Sequence, residues 1–239
     1  IRNGVEICTV ADVPSSGSGL ASSSALTVGL INVINAYKGK KLNKYNLANH
    51  ACIIEREKCK KPIGFQDQFS TAYGGFNKIE FFRNKNIKVS KINLSSKKLK
   101  SFNNKLILFY TGINRQADNI LGKIQKSGKK FLNYEKLSYL AKCFEKELIN
   151  ENYKSCGEIL NENWDIKKSL NKEVSSLNLD NIYQTAISSG AYGGKILGAG
   201  GGGYFLFLTE EKFKKKIIKN LNKLQTIKFS FETEGSKIL

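Results

Sequence analysis

Glu55 stands just before a glycine-containing connection, KPIGFQDQFSTAYGG, and Asp67 lies within it. Two carboxylates so placed could bind a hard cation and accept a proton, since magnesium favours carboxylate and hydroxyl oxygens. Phosphoryl transfer needs both kinds of group: a cation on the phosphates and a side chain beside the attacking hydroxyl. Glu55 would sit late in a helix and Asp67 in the turn after it, where both could face the serine-rich stretch upstream. A plainer reading makes Glu55 half of a surface ion pair and Asp67 a helix cap. Taken alone, the two residues favour the plainer reading.

The serine-rich stretch is DVPSSGSGLASSSA, Asp12 to Ala25, and it runs straight into LTVGLINVINAYKG. Small residues let the backbone approach a ligand closely and present consecutive N–H groups as an anion nest. A helix beginning near Ser22 adds its unbonded N–H groups and the positive end of its dipole, which together make a phosphate site. The pattern is neither a Walker A loop nor GxGxxG. The competing reading is a serine-capped helix behind a flexible loop. A third stretch, GAYGGKILGAGGGG from Gly190 to Gly203, is too glycine-rich for an ordinary strand or helix. Strand-like ILG and YFLFL bracket its tight loop, so close backbone approach to a ligand or to another loop is expected.

Hydrophobic periodicity suggests the elements that must hold these stretches. Val5–Val10 reads as a strand leading into the serine loop. Ser22–Tyr37 reads as a buried helix. Lys44–Lys60 reads as a second helix with Leu47, Ala48, Ala51 and Ile54 on its apolar face. Asn77–Phe82 and Ile87–Leu94 form a hairpin. Ser95–Lys105, polar and lysine-rich, marks a domain boundary, giving domains 1–104 and 105–239. Beyond it come a buried strand at Leu106–Tyr110, helices from Ala117 to Gly190, and strand, glycine loop, strand over Gly193–Leu208. A helix at Glu210–Leu224, with Phe213, Ile217, Leu221 and Leu224 as its apolar stripe, and a strand at Ile227–Glu232 complete an α+β, ferredoxin-like order.

Composition narrows the function classes. The 239 residues are 41% apolar and 25% charged, a globular composition. No apolar run reaches the roughly 18 to 20 residues needed to span a bilayer, so no membrane partner is expected. Five cysteines without CxxC spacing and a single histidine, His50, argue against zinc and for free thiols in a reducing cytoplasm. The formal charge of +19 suggests nucleic acid, yet lysine is spread along the whole chain and no RNP-like aromatic motif appears. A basic RNA-binding protein is therefore the remote alternative, and no nucleic-acid partner is expected. The sequence opens on Ile1 and contains no Met, so a segment ahead of Ile1 is expected.

In order and spacing the three stretches resemble the GHMP small-molecule kinases. Pro14–Ala25 is similar to that family's ATP loop, PxxxGLGSSAA. Gly198–Gly203 is similar to its GAGxGG motif, and Glu55-Arg56 with Gly64–Asp67 to its Glu-Arg and Gly-x-x-Asp settings. The stretches DVPSSGSGLASSSALTVGLINVINAYKG, GFQDQFSTAYGGFNKIEF, LILFYTGINRQA and NENWDIKKSL are most similar to the members acting on D-glycero-D-manno-heptose 7-phosphate. Phosphorylation of the anomeric O1 to the 1,7-bisphosphate, for nucleotide-activated heptose synthesis, is what that implies. A fucose- or galactose-type 1-kinase is the alternative.

The resemblance implies a two-domain GHMP kinase fold, with an incomplete ribosomal-protein-S5-like N-terminal domain and a ferredoxin-like C-terminal one. It implies ATP held by Pro14, Ser15, Ser16, Gly17, Ser18, Gly19, Leu20, Ala21, Ser22, Ser23 and Ser24. Mg²⁺ would be ligated by Ser23 and Glu55, and Asp67 would orient or deprotonate the acceptor. Gly198, Ala199, Gly200 and Gly201 would line the substrate side. Arg115 and Lys167 are additional candidates for the sugar phosphate, each of which could equally be a surface charge. A cytoplasmic enzyme that could form a homodimer is expected. Ala21 stands where the family's loop has Gly, and a methyl there is expected to need negative φ.

Overall fold

The computed structural model describes residues 4–13, 17–114, 117–126 and 130–239. Pro14, Ser15, Ser16 and Arg115 lie outside the described residues. Helix α1 (Ser22–Tyr37) ends where Gly39 takes φ 69°, the left-handed stop that glycine supplies without a Cβ penalty. Helix α2 (Lys44–Cys52) is capped by Asn43, whose side chain accepts from the Asn46 N–H at 2.8 Å. It continues as a π-helical turn, Ile53–Lys58, and α3 (Gln66–Tyr73) comes next. Leu47, Ala48, Ala51 and Cys52 of α2 are buried with Val28 and Ile31 of α1 and Phe69 and Ala72 of α3. The wider π turn carries Glu55 inward and leaves Ile54 at 39% exposure, so Ile54 is not on the apolar face expected of it.

Strands β1 (Asn77–Phe81) and β2 (Ile87–Lys91) pair as the antiparallel hairpin the alternation suggested. The polar stretch Ser95–Lys105, expected at a domain boundary, is mostly helical. It holds α4 (Ser96–Asn104), capped by Ser95, and Phe102 on it is buried in an aromatic cluster with Phe76, Phe144, Tyr153 and Phe231.

The second sheet is built from β3 (Leu106–Tyr110), β4 (Ala191–Ile196), β5 (Tyr204–Thr209) and β6 (Gln225–Ile227) in the order β4-β5-β3-β6, every neighbour antiparallel. This is the split βαβ arrangement of a ferredoxin-like layer. Among the described residues, α5 (Ala117–Lys126), α6 (Lys130–Ile149), α7 (Tyr153–Leu170) and α8 (Leu177–Ser188) stand where its first crossover helix would be. Helix α9 (Glu211–Asn220) makes the second crossover. Phe109, Phe205, Phe207, Trp164, Ile196 and Ile217 are fully buried between sheet and helices. Among the described residues no helix is long and apolar enough to cross a membrane.

Two expected strands differ. Val5–Val10 is not a strand. Val5 and Val10 are exposed at 52% and 95%, and alternation without a neighbouring strand leaves the backbone unpaired. The last strand stops at Ile227 because Phe229 and Phe231 turn into the aromatic cluster around Phe102. The tail then crosses to the helical layer: the N–H of Gly75 donates to the Glu232 carbonyl at 2.7 Å, and that of Ser236 to the Thr71 carbonyl at 3.1 Å.

Candidate active site

The loop before α1 closes on itself. Gly17 and Gly19 take φ 72° and 75°, and the buried Ser18 hydroxyl accepts from the Leu20 N–H at 3.2 Å. Ala21 has φ 59° and ψ 22°, a left-handed conformation, so the expectation of negative φ is overturned. The turn into α1 needs that geometry whichever residue occupies it, and the alanine methyl is strained there by about 1–2 kcal/mol. Directly behind Ala21 comes the serine-rich first turn of α1. Its backbone N–H groups have no carbonyl in their own helix, and its dipole is positive.

The glycine loop between β4 and β5 packs against this one, backbone to backbone. A Cβ on Gly19 would stand 2.6 Å from the Leu197 carbonyl oxygen, and one on Gly203 would stand 2.4 Å from that of Ser18. The loop is pinned from behind by Gly201, which donates to the Val174 carbonyl at 2.7 Å, and by Gly203, which donates to that of Ile113 at 2.9 Å. Lys167 on α7 donates to the carbonyls of Ile196 and Gly198. Its ammonium thus grips the loop that the sequence placed beside the site. Gly193 lets α7 come this close, because a Cβ there would lie 2.0 Å from the Gly157 carbonyl.

Behind the first turn of α1 sits Glu55, only 1% exposed, which rules out the surface ion pair. Its Oε2 accepts from the Ser24 hydroxyl at 2.7 Å and from Gln68 Nε2 at 2.6 Å. Its Oε1 accepts from the Ser23 hydroxyl at 2.9 Å. Lys61 Nζ stands 3.6 Å from that same Oε1 and donates to Ser23 Oγ at 2.7 Å. Arg56 faces elsewhere: its Nε donates to the Ile63 carbonyl at 2.9 Å and its guanidinium stacks 3.7 Å over Phe65, holding the connection that carries Asp67. Asp67 lies in the first turn of α3 and is not its cap, because the capping position is Phe65. Surrounding protein raises the Asp67 carboxyl above its ordinary range, and the charge of Glu55 adds to that push. Asp67 keeps contact with solvent, which tempers the effect.

Ser23 and Glu55 therefore offer a hydroxyl and a carboxylate oxygen at one point beside a helix N-terminus. Among the described residues no group of three or more His, Cys, Asp or Glu side chains could hold a metal on its own. A magnesium ion fits the Ser23–Glu55 pair nonetheless, because it takes one or two protein oxygens and completes its shell with phosphate and water. The ammonium of Lys61 already stands at that point as a cation of the protein's own. Lys61 and Gln68 were missed from the sequence. Nothing in type or spacing sets Lys61 apart among 39 lysines and arginines, and Gln68 gave no chemical signal beside Asp67. His50, the lone histidine, lines an apolar hollow with Ile31, Ile34, Ile53 and Ile54 and shares none of these partners.

Comparison with known proteins gives the same picture. Residues 2–75 match the model for the GHMP kinases N terminal domain, and residues 144–224 match that for GHMP kinases C terminal. The chain is 36% identical over 238 residues to the D-glycero-alpha-D-manno-heptose 7-phosphate kinase of Campylobacter jejuni, covering 96% of this chain and 69% of that protein. A crystal structure from Campylobacter jejuni, 33% identical, superposes with a TM-score of 0.74 over 94% of this chain and 65% of its own. The structure of a D-glycero-D-manno-heptose 1-phosphate kinase from Bacteroides thetaiotaomicron, 24% identical, has the same fold, with a TM-score of 0.75 over 95% of this chain and 66% of its own. The chain thus spans about two thirds of the length of these relatives.

Proposed function

The chain belongs to the GHMP kinase family, and from that premise we propose that it transfers the γ-phosphoryl group of ATP to the anomeric O1 of D-glycero-D-manno-heptose 7-phosphate, in a magnesium-dependent reaction. The observation that carries the chemistry is the convergence of Ser23, Glu55 and the α1 N-terminus on one point, with Asp67 in the first turn of the helix whose Gln68 holds Glu55. The identity to the Campylobacter jejuni heptose 7-phosphate kinase supports the acceptor.

The first-turn N–H groups of α1 and the loop 17–21 would hold the triphosphate, where the dipole and the small residues favour charge and close approach. Ser23 Oγ and Glu55 Oε1 would hold magnesium, which supplies charge neutralisation on the phosphates. Ser24 and Gln68 fix Glu55 through its other oxygen, so the carboxylate is oriented before any ligand arrives. Asp67 accepts the proton of the O1 hydroxyl as O1 bonds to the γ-phosphorus and the bond from that phosphorus to the ADP oxygen breaks. A carboxylate held above its ordinary range is a stronger base than a free aspartate. The glycine loop, gripped by Lys167, closes the far wall. Lys167 and Arg115 remain candidates for the sugar 7-phosphate.

The test is Asp67→Asn in the full-length protein. Turnover falls by more than about a hundredfold while ATP binding is retained. Unchanged turnover would remove Asp67 from the role of base.

A further inference from the structure

Glu55 is divided between two tasks. Oε2 is held by Ser24 and Gln68, and Oε1 faces Ser23 and Lys61. A carboxylate with 2% side-chain exposure is costly to keep charged without a counter-cation, and in this chain the counter-cation is the Lys61 ammonium. Lys61 is not locked in place. Its side chain is 35% exposed, so the ammonium has water on one side and a flexible stem behind it, while its backbone N–H is tied to the Glu55 carbonyl at 3.0 Å.

We propose that Lys61 is a resident counter-cation that competes with the divalent metal for Ser23 Oγ and Glu55 Oε1 and so sets the metal concentration at which the site loads. The inference rests on the metal ligands assigned under the proposed function. Two cations cannot share one carboxylate oxygen and one hydroxyl oxygen without like-charge repulsion, so metal binding is an exchange. The ammonium leaves for solvent as the metal arrives. Lys61 thereby keeps the metal-free site assembled, with Ser23 and Glu55 already paired, and weakens metal affinity in doing so. Removing the ammonium raises the free energy of the metal-free protein and leaves the loaded one unchanged, so apparent affinity must rise.

The experiment is Mn²⁺ titration of nucleotide-free, full-length protein, followed by electron paramagnetic resonance and by thermal unfolding. Lys61→Met is expected to bind Mn²⁺ about tenfold more tightly than the parent, equivalent to about 1.4 kcal/mol. It should also melt lower than the parent without metal, the gap closing at saturating Mn²⁺. Lys61→Gln, which keeps a neutral donor for Ser23, should fall between the two and serves if the Met variant does not fold. Equal or weaker Mn²⁺ binding by the variants overturns the proposal. Glu55→Gln separates this from the parent reading: if it abolishes Mn²⁺ binding while Lys61→Met changes nothing, only the competition is wrong. If Glu55→Gln binds Mn²⁺ as the parent does, or if no protein in the series binds it, the metal assignment falls and the competition with it.

Discussion

Asp67, the base we propose, carries a charge that the fold disfavours. Its carboxyl is raised by burial first and by Glu55 second, so the folded protein holds this proton more tightly than the unfolded chain. Stability from this group is therefore greatest below the ordinary aspartate pKa of about 3.9 and declines as pH rises through the window up to the raised value. Asp67→Asn removes a charge that the fold disfavours only mildly, because the side chain is exposed to solvent. It is expected to melt higher than the parent at pH 7, with the difference vanishing at about pH 3 to 4, while turnover is lost. A lower melting temperature at neutral pH would contradict the cause given for the shift. Ala21 is the opposite kind of residue, strained with no evident chemical return. Ala21→Gly relieves about 1–2 kcal/mol of left-handed strain against about 0.5–1 kcal/mol of added chain entropy. Urea unfolding should register a net gain of about 0.5–1 kcal/mol. The sequence marked Ala21 as unusual, but the sign of its φ belongs to the loop as a whole and could not be read from the residue.

At the scale of elements, the proposed phosphate cradle is two loops pressed together, and glycine is what permits it. Gly19→Ala and Gly203→Ala would drive a methyl into carbonyl oxygens of the facing loop at positive φ. Each should cost at least about 2 kcal/mol of stability and weaken ATP binding more than tenfold in calorimetric titration. Gly29→Ala is the control. It lies within α1 at negative φ with nothing within 4 Å of the added Cβ, and is expected to be neutral or stabilising by up to about 1 kcal/mol. Glycine density was legible in the sequence as close approach, and the structure identifies the approaching partner as the serine loop. The burial of Glu55 was not legible. A π turn shifts which residue of a helix faces inward by one position, and neither composition nor a period of 3.6 carries that information. Lys61 was hidden for a related reason, since a lysine becomes distinctive only when folding sets it against a buried carboxylate.

Over the whole molecule, the ferredoxin-like order of the second half was legible because strands, glycine loop and helices succeed one another with clear periodicity. The ends of the chain were not. Val5–Val10 alternates without a strand beside it, and the Phe229–Phe231 alternation serves an aromatic cluster in place of a ladder. The tail beyond Phe231 ties the sheet layer to the helical layer. Lys44 donates to the carbonyls of Tyr73 and Glu234 at 2.8 and 2.6 Å, Asn32 donates to Ser236 Oγ at 3.0 Å, and Gly74 packs on Gly235. Removing residues 232–239 is expected to lower the melting temperature by several degrees and to raise hydrogen exchange in α1–α3 more than in β3–β5. Uniform exchange across both layers would contradict that role. The central claim, that the site moves a phosphoryl group from ATP to the anomeric oxygen of a heptose 7-phosphate, is met most directly by phosphorus NMR of the full-length protein with ATP, Mg²⁺ and that sugar. The expected spectrum gains an anomeric phosphate resonance beside the retained 7-phosphate as ADP accumulates, with free fucose and galactose left unphosphorylated. ATP consumed on a free sugar in preference, or a 7-phosphate sugar left unchanged, would contradict it.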